Sequence, residues 1–146
     1  MTTKKSTSRS TSRKRMSDVN YRQLADFRFA LRLFLEFSST AAREAGLTPQ
    51  QHQALLAIKG LSISGPVSVG DVASRLLSRH HSAVELVDRL ADAKLIERQI
   101  DPDDKRRVHI VLTAKAERAL ERLSTSHLEE LKRLRPLLQA VLAQQA

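Results

Sequence analysis

The run K-L-I-E-R-Q-I-D-P-D-D-K-R-R-V-H-I-V-L-T, from Lys94 to Thr113, decides the fold. Ile96 to Ile100 leads into a tight charged turn, and Val108 to Leu112 leads out of it. Pro102 presets its own φ for a turn, and Asp101, Asp103 and Asp104 can accept from nearby backbone N–H groups. Val108, Ile110 and Leu112 alternate with Arg107, His109 and Val111, mostly the pattern of a half-buried strand. The expectation is a β-hairpin tipped by three successive cations, Lys105, Arg106 and Arg107. Adjacent cations repel one another, and a hairpin does not need them. They become useful beside a polyanion, such as a narrow minor groove with its concentrated negative potential.

The segments just upstream sharpen this reading. Val69 to Leu77 reads as a short helix, with Ser68 and Asp71 at capping-box spacing and Val72, Ala73, Leu76 and Leu77 as its apolar stripe. A polar connection, Ser78-Arg79-His80-His81, follows. Ser82 to Ala93 then turns Val84, Leu86, Val87, Leu90 and Ala91 inward, leaving Ser82, Glu85, Asp88, Arg89 and Asp92 wet. Two helices about a turn apart, followed by a basic hairpin, make a helix-turn-helix with a wing. Its second helix would lie in a major groove with its N-terminal residues toward base edges.

Four segments resemble the multiple-antibiotic-resistance regulator (MarR) family of winged-helix transcription factors. They are L-T-P-Q-Q-H-Q-A-L-L-A-I (Leu47 to Ile58), V-G-D-V-A-S-R-L-L (Val69 to Leu77), H-H-S-A-V-E-L-V-D-R-L (His80 to Leu90), and the wing D-P-D-D-K-R-R-V-H-I-V-L-T. The resemblance runs from about Val19 to the C-terminus. The wing and its following L-T are specific; the helices singly are not. Lys105 and Arg106 stand where the family usually has paired arginines, and Ala116 replaces a common Gly. Lys lacks the planar fork of Arg, which suits Lys105 to a phosphate rather than a base.

Outward from the hairpin the chain looks helical. Val19 to Ala45 reads as one long helix with a stripe of Tyr21, Leu24, Phe27, Leu31, Phe34, Leu35 and Ser38, ended by Gly46 at C′. Thr48, Pro49 and Gln51 form a helix start with a capping box, and Leu55, Leu56 and Ile58 make its core side. Gly60 to Pro66 is expected to be loop, and Val67 to Val69 a short third strand. Thr113 caps a long helix bearing Leu120, Leu123, Leu128, Leu131 and Leu134. Pro136 is expected to break or restart it, with Leu137, Leu138, Val141 and Leu142 in a final helix. The fold class is therefore mainly α with a small β-wing: a winged helix-turn-helix flanked by N- and C-terminal dimerisation helices.

One domain is expected from 146 residues. Residues 1–17 form a basic Ser/Thr-rich tail, expected to be disordered, and 18–146 the folded domain. Within it, 18–46 and 114–146 would dimerise and 47–113 would bind DNA. The absence of cysteine excludes disulfides, thiolate metal sites and cysteine redox sensing. No apolar run approaches membrane-spanning length and no signal peptide is evident, so a cytoplasmic protein away from membranes is expected. The tail holds Lys4, Lys5, Arg9, Arg13, Lys14 and Arg15 with no acid, or +6 of the net charge of +9. It reads either as an arm tracking DNA phosphates or as a solvated extension.

Both ends are apolar helical stripes outside a compact winged helix. Such patches usually mark an interface, most often of a two-fold dimer. Tyr21, Leu24, Phe27, Leu131, Leu134, Leu138 and Val141 are its candidate residues; the alternative is packing of the two ends on each other within one chain. The resemblance implies that Arg106, set by Asp104, enters a minor groove; the alternative is a surface ion pair within the wing. Lys105 and Arg107 are phosphate candidates. Arg79, His80, His81 and Ser82 open the recognition helix, though capping explains Ser78 or Ser82 in part. Glu85 either accepts from a cytosine amino group or, as preferred here, pairs with Arg89 four residues on.

The resemblance also implies a double-stranded DNA operator, a homodimer, repression as the commoner mode, and a small, often aromatic and anionic, ligand between the dimerisation helices and the winged helix. Phe34, Phe37, Arg43 and His52 are the candidate wall. No metal or other cofactor is expected. His80 and His81 point roughly 100° apart on a helix, and His52, His109 and His127 fall on different elements. No phosphate loop, nucleophile elbow or paired-carboxylate arrangement suggests an enzyme. The competing classes are a sequence-neutral architectural DNA binder and a winged-helix protein-interaction module; the wing charge argues against the latter.

Overall fold

The computed structural model describes residues 15–143, so most of the basic tail lies outside the described residues. The order is α1 (Asp18–Glu44), α2 (Pro49–Ser62), α3 (Val69–Arg75), α4 (His80–Asp92), β1 (Ile96–Ile100), β2 (Val108–Leu112) and α5 (Ala114–Ala143). The two strands pair antiparallel, from Ile96 opposite Leu112 to Ile100 opposite Val108, with the boundaries that the alternation predicts.

Helix starts follow their caps. Ser17 Oγ accepts the Asn20 N–H at 3.2 Å to begin α1. Reciprocal capping boxes begin α2, between Thr48 and Gln51 at 3.0 Å each way, and α3, between Ser68 and Asp71 at 2.9 and 3.1 Å. Each box satisfies two N–H groups that the helix leaves without partners. Thr113 serves two elements: its Oγ1 accepts the Ala116 N–H at 3.3 Å and donates to the Lys94 carbonyl at 2.7 Å.

Three helix ends share one closure. After α1 the Leu47 N–H donates to Ala42 O and Gly46 N–H to Arg43 O, at 2.9 and 3.0 Å. The same paired bonds follow α3, through Ser78 and Leu77, and α4, through Leu95 and Lys94. This Schellman closure puts its C′ residue in the left-handed region, where Gly46 (φ 79°) is at ease but Leu77 (φ 53°) and Lys94 (φ 61°) carry a Cβ clash. Leu77 is also 95% exposed, so its side chain contributes no packing, against the expectation of an apolar stripe through it. Leu77→Gly should therefore raise stability, by at most about 1 kcal/mol, since steric relief is partly offset by a freer unfolded chain. A fall in the midpoint of urea unfolding would contradict this.

Four other expectations are corrected. Leu56 is exposed, because Ala54 lies four residues before Ile58 and takes the inward place beside Leu55. Helix α2 continues through Gly60 to Ser62. Val67–Val69 is not a strand: Val67 O accepts a single bond from the Ile110 N–H at 2.8 Å, and Ser68 and Val69 are already committed to the start of α3. Helix α5 runs unbroken through Pro136. The proline removes one N–H donor, but Leu134, Leu137 and Leu138 on either side of it all remain buried or half-buried.

The core is one contiguous cluster. Leu55 and Ile58 of α2, Val72 of α3, Leu86, Val87 and Leu90 of α4, Ile96 and Ile110 of the hairpin, and Leu120 and Leu123 of α5 all belong to it. It seats the recognition helix and wing on the base of α5. The chain ends do pack on each other: Val19, Gln23 and Asp26 of α1 line a cleft with Leu137, Ala140 and Val141 of α5. That contact leaves Leu24, Leu31 and Leu35 of α1 and Leu128 and Leu131 of α5 exposed. Among the described residues, no helix is long and apolar enough to cross a membrane.

Candidate nucleic-acid interface

The wing tip is built from carboxylates that bind backbone. Asp101 Oδ1 accepts the N–H groups of Asp103 and Asp104 at 2.7 and 3.2 Å. The Asp101 N–H donates to Arg107 O and the Arg107 N–H to Asp104 O, both at 2.9 Å. Asp104 Oδ1 then accepts from the Arg106 N–H at 3.1 Å and from its guanidinium Nε at 3.2 Å. The guanidinium is oriented at its root while the side chain stays 92% exposed. Arg107 Nε lies 3.7 Å from the other Asp104 oxygen, and Lys105 is exposed. These bonds, with the His109 contact, hold the Asp101 carboxyl below its usual value, first through the Asp103 N–H and then through His109.

The recognition helix begins two residues earlier than its hydrophobic pattern predicts. Arg79 is the N-cap and His80 the first helical residue. No side chain caps this end, so neither Ser78 nor Ser82 plays that part; Ser78 Oγ donates instead to Arg79 O at 3.4 Å. Arg79, His80, His81, Ser82, Glu85 and Arg89 are all exposed, while Ala83, Leu86, Val87 and Leu90 are buried beneath. Uncapped N–H groups and solvated polar side chains thus share the end of α4 that a groove would receive. The Glu85–Arg89 pair is not formed among the described residues. Asp88 pairs with Arg98 of β1 instead, tying α4 to the wing. His80, Arg106, Arg107 and His109 line one crevice with Ser68, the N-cap of α3, and Gly70 and Asp71 of α3, so the recognition helix and the wing open onto one face.

The candidate ligand wall is only partly assembled. Phe34, Phe37 and His52 surround His127, with ring centroids 5.7, 5.4 and 4.8 Å from it. Arg43 is exposed and takes no part in the cluster. His127 bonds Leu123 O through Nδ1 at 2.6 Å and Ser38 Oγ through Nε2 at 2.8 Å. Neither His127 nor Ser38 stood out as a site residue in the sequence, because each lies on an apolar stripe that reads as packing. His52 is 3% exposed and its Nδ1 has no hydrogen-bond partner. Of the dimerisation candidates, Tyr21, Leu24 and Leu131 are exposed, Phe27, Leu138 and Val141 are half-buried, and Leu134 is buried within the chain. No group of three or more His, Cys, Asp or Glu residues is placed to hold a metal among the described residues.

Burial, and then the neighbouring His127, hold the His52 imidazole below its usual value of 6.5. The unfolded chain therefore takes up this proton at a higher pH than the folded one. The associated stability is complete above the unfolded pKa and is lost as pH falls below it toward the folded value. Unfolding midpoints should drop between about pH 7.5 and 5.5, and His52→Gln should flatten that part of the slope. An unchanged slope in the variant would remove His52 from the account.

The MarR family's sequence model matches residues 45–107, which span α2, the helix-turn-helix and the wing tip. Over 121 residues the chain is 26% identical to YsmB, an uncharacterised HTH-type transcriptional regulator of Bacillus subtilis, covering 80% of this chain and 81% of that one. Over 79 residues it is 38% identical to another, YcgE, covering 53% and 49% of the two chains. Among solved structures, a mutant of S. aureus MepR bound to an oligodeoxyribonucleotide superposes with a TM-score of 0.66 at 20% identity, covering 86% of this chain and 98% of that one. AbsC, a MarR family regulator from Streptomyces coelicolor, gives 0.66 at 18% identity, covering 82% and 80%.

Proposed function

We propose, from the match of residues 45–107 to the MarR family's sequence model and from the winged-helix fold, that this chain is a transcriptional repressor that grips a palindromic operator as a homodimer. One observation carries the reading. Arg106 is 92% exposed and yet anchored at its root by Asp104, an arrangement suited to entering a groove rather than to stabilising the monomer. In this reading Arg106 reads a minor groove while Lys105 and Arg107 neutralise phosphates. Arg79, His80, His81 and Ser82 approach base edges in the major groove, with Arg89 and Ser78 at its margins. Glu85, left without Arg89, is suited to accept from a cytosine amino group.

The exposed leucines of α1 and α5 supply the dimer surface, since apolar area of this extent usually marks an interface. A two-fold pair would present two recognition helices about one DNA turn apart. MepR has also been solved bound to ethidium bromide, with a TM-score of 0.57 to this chain at 23% identity. We extend from it to a small aromatic ligand acting near the Phe34–Phe37–His52 cluster. Such a ligand must bind the two conformations unequally to release the operator. Residues 1–17 would add sequence-neutral phosphate contacts.

The test is a footprint on the DNA upstream of the protein's own gene, at near-physiological salt with excess random competitor and with stoichiometry recorded. A competitor-resistant footprint holding two chains is expected. Binding that vanishes with competitor would replace this reading with a sequence-neutral binder driven by the basic tail.

A further inference from the structure

The hairpin's second strand carries, on the face that alternation assigns to solvent, a histidine that is largely buried. His109 is 20% exposed at its side chain, and its Nε2 lies 2.8 Å from Asp101 Oδ2, itself on a side chain only 18% exposed. An ionised carboxylate only accepts, so the imidazole N–H donates. The neighbouring Ile110 is buried, and its N–H is tied to Val67 O at 2.8 Å. His109 thus stands next to a residue that ties the hairpin to the core. From it a continuous chain of bonds leads outward. His109 holds one Asp101 oxygen, the other Asp101 oxygen holds the Asp103 and Asp104 N–H groups, and Asp104 holds Arg106.

We propose that His109 and Asp101 are positioning residues for Arg106: together they fix the wing tip in its DNA-ready shape before DNA arrives. The inference rests on the DNA-binding reading above and deepens it. Neither side chain need touch DNA. Their effect is to remove conformations of the tip in which the guanidinium points elsewhere, so that less freedom is lost on binding. The Asp104–Arg106 contact alone cannot do this, because Asp104 belongs to the same turn and would move with it.

The experiment has two arms on the full chain. The first needs no DNA: amide exchange at Asp103, Asp104 and Arg106 is compared between wild type, His109→Ala and His109→Gln. Faster exchange at those three amides in His109→Ala is expected, with the rest of the hairpin unchanged and with recovery in His109→Gln, whose amide can replace the Nε2–H donor. Unchanged exchange in His109→Ala overturns the proposal. In the second arm, affinity for the footprinted operator is measured for wild type, His109→Ala, Arg106→Ala and the double variant. His109→Ala should weaken binding roughly 2- to 12-fold, the range expected for ordering one long side chain on binding, and have almost no effect once Arg106 is absent. Equal losses in both backgrounds would show that His109 acts independently of Arg106, and wild-type affinity in His109→Ala would overturn the proposal outright. If the wild type gives no competitor-resistant footprint, the regulator reading fails, and the exchange arm still decides whether His109 orders the tip.

Discussion

Arg106→Ala should weaken operator binding by about 1–3 kcal/mol, or roughly 5- to 150-fold, while leaving the folded chain as stable as before. The two halves of this expectation have separate grounds. Affinity falls because the guanidinium is held in place by Asp104 Oδ1 at 3.2 Å and presented almost wholly to solvent. A preoriented, planar donor fork delivers its binding energy with little ordering cost. Stability is spared because an exposed ion pair of this kind is worth little to the fold. Arg106→Lys keeps the charge and loses the fork, so it should recover sequence-neutral binding more fully than operator binding. Lys105→Ala makes the contrast: as a phosphate contact, it should weaken binding to all sequences alike and lower the salt slope by about one. If Arg106→Ala bound the operator as wild type does, the wing would not be a reading element.

Leu90→Ala should destabilise the chain by about 2–5 kcal/mol, a large share of the roughly 5–15 kcal/mol that holds a small domain together. Leu90 is fully buried where α4 meets the central cluster. Its carbonyl also accepts the Leu95 N–H at 2.9 Å, closing the helix just before the wing. Truncation leaves a void that neighbours from other elements can fill only partially, because interiors are close-packed. Urea unfolding followed by circular dichroism would show a lower midpoint with an unchanged slope. A loss under about 1 kcal/mol would mean that the site collapses freely and that the cluster around Leu90 is looser than its burial implies.

Much of the architecture was legible because local signals agreed with one another. Ser68 with Asp71, and Thr48 with Gln51, announce helix starts by spacing alone, and both boxes form. The hairpin was readable to the residue because alternation and turn chemistry coincide at Asp101-Pro102. Local rules give way where a tertiary one opposes them. Pro136 reads as a break in isolation, yet α5 carries it where the apolar residues on both sides stay packed. Leu56 looks more like core than Ala54, but only the smaller side chain sits on the inward arc. The Glu85–Arg89 pair obeys helical spacing, yet both side chains stay in solvent, where an ion pair gains little over hydration. At the candidate interface, the pairing of Asp104 with Arg106 is legible only through the wing's resemblance to a known family, and the contact forms. Spacing alone does not pair Asp101 with His109, because only the antiparallel register brings them together.

Helix α5 joins the wing region to the far end of the chain in one rod. Its first turn is bolted to the wing region, where the Thr113 N–H donates to Leu95 O and Lys115 Nζ to Ala93 O, both at 3.1 Å. From Ala114 to the residue before Pro136 it spans roughly 33 Å at 1.5 Å per residue. A tilt of roughly 6° about its distal end would swing the bolted end by roughly 3.4 Å, the rise of one base-pair step. In a two-fold pair both arms would swing at once, so a reorientation too small to disturb any helix would put the two reading heads out of register with the operator. Pro136, which lacks the N–H that would tie it to the preceding turn, stands at the far end of that span.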